Sequence, residues 1–93
     1  MAKISVYVKR GVGSKEDPYS LVEANIYADN KYIGFAGAGG CNNRSGLVGI
    51  ELSEEEHIIR IASGGDEMEK EVLIDKFQKV LIFNLTTKEV EKY

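Results

Sequence analysis

Between Ala24 and Leu85 the chain is one hairpin-building pattern: short runs alternate apolar with polar residues, and turn signals cut each run. Period-two alternation sends successive side chains to opposite faces, which makes half-buried strands rather than helices. Such runs, broken about every eight to twelve residues, specify an all-β sandwich or open barrel.

The inward set can be written down directly. Lys3 to Lys9 turns Ile4, Val6 and Val8 to one face, and Leu21 to Ala28 does the same with Val22, Ala24, Ile26 and Ala28. Asp29-Asn30 supplies two residues tolerant of positive φ, as a tight primed hairpin turn requires. Lys31 to Ala36 returns with Ile33 and Phe35 inward. Leu47 to Leu52 offers Val48, Ile50 and Leu52, and His57 to Ser63 offers Ile59 and Ile61.

Glu67 to Asp75 is rich in helix formers. Its alternation nonetheless sets Met68, Lys70, Val72 and Ile74 against Glu67, Glu69, Glu71 and Leu73, so it is read as a strand. Val80 to Leu85 is apolar on both faces and belongs centrally or under a covering loop. Residues 10–20 and 37–46 read as glycine-bearing loops, the first mobile at Gly13 to Asp17. Thr86 to Tyr93 reads as a frayed tail or a short helix. The expectation is one antiparallel sandwich domain over residues 1–93, of about seven strands.

Ninety-three residues hold one core, and a chain of this size buries roughly 60–70 % of its unfolded surface without staples. Hydrophobic residues at 43 % and charged residues at 29 % are globular values, which argues against disorder. The net charge of −3, with lysines matched by acids, leaves no basic field for nucleic acid. No apolar run approaches the ~20 residues of a membrane span. The strand pattern begins at Ile4 with no apolar leader before it, and Cys41 has no second cysteine to pair with. The expected location is cytoplasmic, or exported or in the cell envelope if a leader was removed.

Ala24-Asn25-Ile26-Tyr27-Ala28-Asp29-Asn30-Lys31-Tyr32-Ile33-Gly34 resembles the opening hairpin of PEGA domains. In those, a small residue precedes a strand ending in an Asp-Gly-type turn, and a second strand closes on Gly. The matching positions are Ala24, Ile26, Tyr27, Asp29, Asn30, Ile33 and Gly34. Leu52 with His57, Ile59 and Ile61 is similar to the family's second hairpin, and Val72, Ile74, Val80, Ile82 and Leu85 to its closing strands. The likeness covers roughly two-thirds of the chain. Glu54-Glu55 stands where the family has Pro-Gly, Gly65 where it has Tyr, and the link after Phe35 is longer. The resemblance implies a prealbumin-like sandwich, related to carboxypeptidase regulatory-type domains. It also implies an accessory, adhesive or scaffolding role with no catalytic residues and no cofactor.

The residues themselves offer four chemistries. Successive glycines in Gly37 to Gly46 can aim backbone N–H groups at an anion, with Gly39, Gly40, Asn42, Asn43 and Arg44 as the candidate contacts. The segment lacks phosphate-loop spacing and a following amphipathic helix, and a long link between hairpins accounts for it better. Cys41 and His57 are the elements of a nucleophile and base, but nothing in the sequence joins them, and His57 reads as half-packed at the sandwich edge. Glu51, Glu54, Glu55 and Glu56 lack the order of a calcium loop, and Ser53-x-x-Glu56 reads more simply as a capping box on one helical turn. No metal site is expected. Tyr27 and Tyr32 flank the tight turn, and outward tyrosines bind a protein or carbohydrate at low entropic cost. A weak homo-oligomer through an edge strand is also expected, since open sandwiches leave unpaired backbone there.

Overall fold

A computed structural model describes residues 2–37 and 47–93. The described residues form nine strands and no helix. They are β1 (Ala2–Arg10), β2 (Ser20–Leu21), β3 (Ala24–Ala28), β4 (Lys31–Ala36), β5 (Leu47–Leu52), β6 (Glu56–Ser63), β7 (Asp66–Leu73), β8 (Val80–Asn84) and β9 (Glu89–Lys92). One sheet runs β2-β1-β8-β9 with β5 also on β1; the other runs β4-β3-β6-β7. This is the expected two-sheet sandwich.

Alternation builds the interior. Ile4, Val6 and Val8 of β1 and Leu81 and Phe83 of β8 face Ile26, Ile59, Ile61 and Val72 from the other sheet, each almost wholly buried. Each buried aliphatic contributes about 1.5–3 kcal/mol relative to exposure. Met68, Val72 and Ile74 are inward as the pattern requires, so tertiary burial overrides the helix-forming composition of that segment. Strand β8 sits between β1 and β9, in the central place its two apolar faces demanded. Its pairing with β1 is parallel, Val6 beside Leu81 and Val8 beside Phe83, the one parallel pair among the described strands.

Five expectations are corrected. The stretch read as one strand from Leu21 to Ala28 is divided. Leu21 pairs with Lys9 as part of β2, and β3 begins at Ala24. Phe35 does not face the core. Ile26 pairs with Gly34 but Tyr27 with Tyr32, so Ile33 is an extra, bulged residue that inverts the facing of the residues after it. Gly34 and Ala36 therefore take the inward side beside β5, and Phe35 is 44 % exposed.

The loop after β1 is tied rather than loose. The amides of Val12, Gly13 and Ser14 all donate to the Asp17 carbonyl, and Gly11 and Gly13 supply the positive φ this needs. No helical turn forms at Ser53; Glu56 already opens β6. The tail is a strand, the fifth correction. Asn84 donates through Nδ2 to Gly11 O (2.9 Å), while its Oδ1 accepts from the amides of Thr86 (2.8 Å) and Thr87 (3.1 Å). Gln78 Nε2 then donates to the carbonyls of Val80 and Tyr93, each at 2.8 Å, and fixes the far end of β9.

Strand β7 is a sheet edge. Ile74 N donates to Glu55 O across the end of the β6–β7 pair, so by alternation the backbone groups of Leu73, Glu71, Glu69 and Glu67 point outward from the sheet. Lys88 Nζ caps the Glu67 carbonyl at 3.0 Å. Arg10 joins the two sheets, with Nη2 2.8 Å from Asp66 Oδ2 and within reach of Ser63 O.

Candidate functional site

Tyr27 pairs across the ladder with Tyr32 on one side and Arg60 on the other, so three strands place three large side chains in one row on the outer face of the second sheet. The Tyr27 and Tyr32 rings meet edge to face, centroids 5.6 Å apart at 69°. The Arg60 guanidinium carbon lies 4.2 Å from the Tyr27 centroid. Such contacts contribute about 0.5–1.5 and 0.5–1 kcal/mol respectively.

Arg60 Nη1 reaches to 3.4 Å from Glu67 Oε1, and its buried Nε has no protein partner. Tyr32 is 53 % exposed, and Phe35 adds a further ring to this face, packed over Gly37. Beyond Arg60, the hydrogen bond that a protonated Glu71 donates to Glu56, and the Glu56 charge, raise the Glu71 carboxyl above its ordinary range, and the pair marks an acidic margin. On the opposite sheet, Lys3, Ser5, Gly49 and Glu51 line a groove of about 320 Å³.

At the hairpin tip next to Tyr27 stands a second constellation. The tip needs left-handed backbone at Asp29 (φ 53°) and Asn30 (φ 67°), as the residue types foretold. Asp29 then bridges to β6: its amide donates to Ile58 O (2.9 Å) and its Oδ1 accepts from Ile58 N (3.0 Å). Its Oδ2 lies 2.7 Å from Nδ1 of His57. On the other side of the ring, Nε2 is 3.0 Å from Ser53 O and 3.2 Å from Ser53 Oγ. His57 is only 6 % exposed, so its placement at the edge as a half-packed ring is corrected: it is buried and held at both nitrogens.

Ser53, His57 and Asp29 thus touch in the order of a nucleophilic triad. The distances favour a different chemistry. A carbonyl 3.0 Å from Nε2 calls for a donor there, and Asp29 calls for a donor at Nδ1, so the ring that satisfies both is the imidazolium. Ser53 Oγ then donates to Glu55 Oε1 at 3.0 Å. Burial, the largest single influence, pushes the His57 pKa down, but the Asp29 hydrogen bond, the Ser53 carbonyl and the charges of Asp29 and Glu55 together raise it above 6.5. The Ile58 amide first, and His57 second, hold Asp29 below 3.8. A general base needs a free lone pair at Nε2, which this charge state does not have.

Gly39, Gly40, Cys41, Asn42, Asn43 and Arg44 lie outside the described residues. Among the described residues no group of three or more His, Cys, Asp or Glu is placed to hold a metal ion, and no helix is long and apolar enough to cross a membrane. Fold and surface together define a small two-sheet β-sandwich with an aromatic–arginine face. In comparisons with family models, curated proteins and solved structures, nothing matches this chain.

Sequence reasoning reached Tyr27 and Tyr32 but missed Arg60, Asp29 and Ser53 as their neighbours. Arg60 carried the outward parity of β6, yet its place beside Tyr27 depends on cross-strand register. His57 was weighed and read as structural, and its partner Asp29, 28 residues away, was not foreseen.

Proposed function

We propose that the protein is a non-catalytic binding or scaffolding module of prealbumin-like kind, and that the outer face of β4-β3-β6-β7 is its contact surface. The observation that carries this is the Tyr32–Tyr27–Arg60 row. Two tyrosines meeting edge to face and a guanidinium, ordered by their mutual contacts, present apolar area with polar tips and lose little freedom when a partner covers them. The strand order, with the first strand parallel to a C-terminal one, supports the prealbumin-like reading and with it the PEGA-like resemblance. The Ser53 carbonyl facing His57 Nε2, with the Ser53 hydroxyl donating to Glu55 instead, supports the non-catalytic part.

A photo-crosslinking residue at position 32, with the same residue at position 3 as control, tests the surface. Saturable adducts from position 32 that disappear with Tyr27→Ala are expected, and equal labelling from both positions removes the proposal. A glycan panel run in parallel decides between carbohydrate and protein. Edge-to-edge self-association belongs to the same proposal, and sedimentation across the micromolar range tests it.

A further inference from the structure

We propose that His57 is a proton-operated clamp on the β3–β4 hairpin, exchanging hydrogen-bond partners at Ser53 as it gains or loses its proton and so setting how firmly the Tyr27–Tyr32 tip is held to β6. The geometry supplies both states. With the ring protonated, Nδ1 donates to Asp29 Oδ2 (2.7 Å), Nε2 donates to Ser53 O (3.0 Å), and Ser53 Oγ donates to Glu55 (3.0 Å). With the Nε2 proton gone, that nitrogen becomes an acceptor and repels the carbonyl it faced. Ser53 Oγ, 3.2 Å away, turns from Glu55 to donate to it. No atom needs to travel far; one hydroxyl rotates and one carbonyl loses its donor.

The clamp acts on the tip because Asp29 is the tip. Its carboxylate is divided between His57 and the Ile58 amide, and its own amide is bound to Ile58 O. When the imidazolium becomes imidazole, the charge that attracts Asp29 vanishes, and the link between hairpin and β6 weakens to a neutral hydrogen bond.

The charged groups facing the ring are Asp29 from the β3–β4 turn and Glu55 from the β5–β6 turn. Strand β7 sets the apolar Val72 opposite it, and the alternation of β6 and β7 directs Glu56 and Glu71 to the outer face. The buried side chains of β1 and β5 in the facing sheet, Ile4, Ile50 and Leu52 among them, are aliphatic. Among the described residues no positive charge competes with the imidazolium. The raised pKa of His57 agrees in direction, and the clamp is closed at lower pH and opens as pH rises. The clamp stands on this geometry alone; only its bearing on partner contact rests on the function proposed above.

The test is an NMR pH titration of the free protein, following the His57 ring, the Tyr27 and Tyr32 ring signals, and amide exchange at Asp29 and Ile58 corrected for intrinsic base catalysis. His57 is expected to titrate above 6.5, with the tyrosine signals moving at the same midpoint. Exchange of the two amides is expected to become roughly tenfold faster once the ring is neutral. Asp29→Asn keeps a side chain suited to positive φ and removes the charge, so it lowers the midpoint. Ser53→Ala removes the hydroxyl that serves only the neutral ring, so it raises the midpoint.

A His57 midpoint at or below 6.5, tyrosine signals that stay still through it, or variants that leave it unchanged or shift it in the same direction would each overturn the clamp. These readouts need no partner, so a working clamp with no crosslinks at position 32 refutes the binding surface alone.

Discussion

Asn84→Ala should cost about 2–5 kcal/mol and free the C-terminal strand. The side chain is 6 % exposed and makes three hydrogen bonds, one from Nδ2 to the carbonyl of buried Gly11 and two to Oδ1 from the amides of Thr86 and Thr87. The exposed threonine amides regain water, so each lost bond costs about 0.5–1 kcal/mol; the buried carbonyl left without a donor costs about 1–3 kcal/mol more. Urea denaturation measures the sum, and amide exchange at Glu89 to Lys92 reports where the loosening falls. Asn84→Asp keeps both acceptor bonds but removes the donor, so its loss should centre on Gly11 and leave β9 protected. A loss below about 1 kcal/mol for the alanine variant, with β9 protection unchanged, would refute the assignment of Asn84 as the pin of this turn.

Stability against pH should form a plateau bounded by two titrations. The His57 contribution is full below 6.5 and is lost as pH rises through its higher folded value, whereas that of Asp29 is full above 3.8 and is lost as pH falls through its lower folded value. Chemical denaturation at pH steps in the wild type and in Asp29→Asn checks both limbs, and the variant should lack the acidic one. Gly49→Thr should stabilise by about 0.5–1 kcal/mol, since a Cβ there meets nothing within 4 Å and a β-branched residue suits an extended strand. A fall in the urea midpoint would contradict this. A double-mutant cycle of Tyr27→Ala with Arg60→Ala should give a coupling of about 0.5–1 kcal/mol that survives added salt, as expected of a guanidinium stacked on a ring. A serine-directed fluorophosphonate should label Ser53 no faster at pH 6 than it labels Ser14, because below 6.5 the base that would activate it carries its proton.

The core was legible because burial is written in parity. Ile4, Val6, Val8, Ile59, Ile61, Val72 and Ile74 alternate without interruption, and each is buried where the alternation places it. Legibility failed where one residue broke the count. The bulge at Ile33 depends on how β4 meets β3, and no local signal distinguishes it from a regular strand.

The tail was misread for a related reason. Its charges suit solvent, but Glu89 to Lys92 is held by Asn84 and Gln78 from earlier in the chain and by the backbone of β8. Of the candidate site, the tyrosines were visible from their parity beside Asp29-Asn30. Their neighbours Arg60, Ser53 and the buried His57 become partners only through pairings between distant strands.

The open rim at β7 decides what happens when two copies meet. Antiparallel partners lie on the same face, so odd-numbered residues of one copy must oppose odd-numbered residues of the other, and these are Glu67, Glu69 and Glu71. Every alignment centred between positions 67 and 71 therefore confronts carboxylate with carboxylate. That rim repels its own kind, any lateral pairing of copies falls to the remaining edges, and sheet growth stops there instead of running on into fibres.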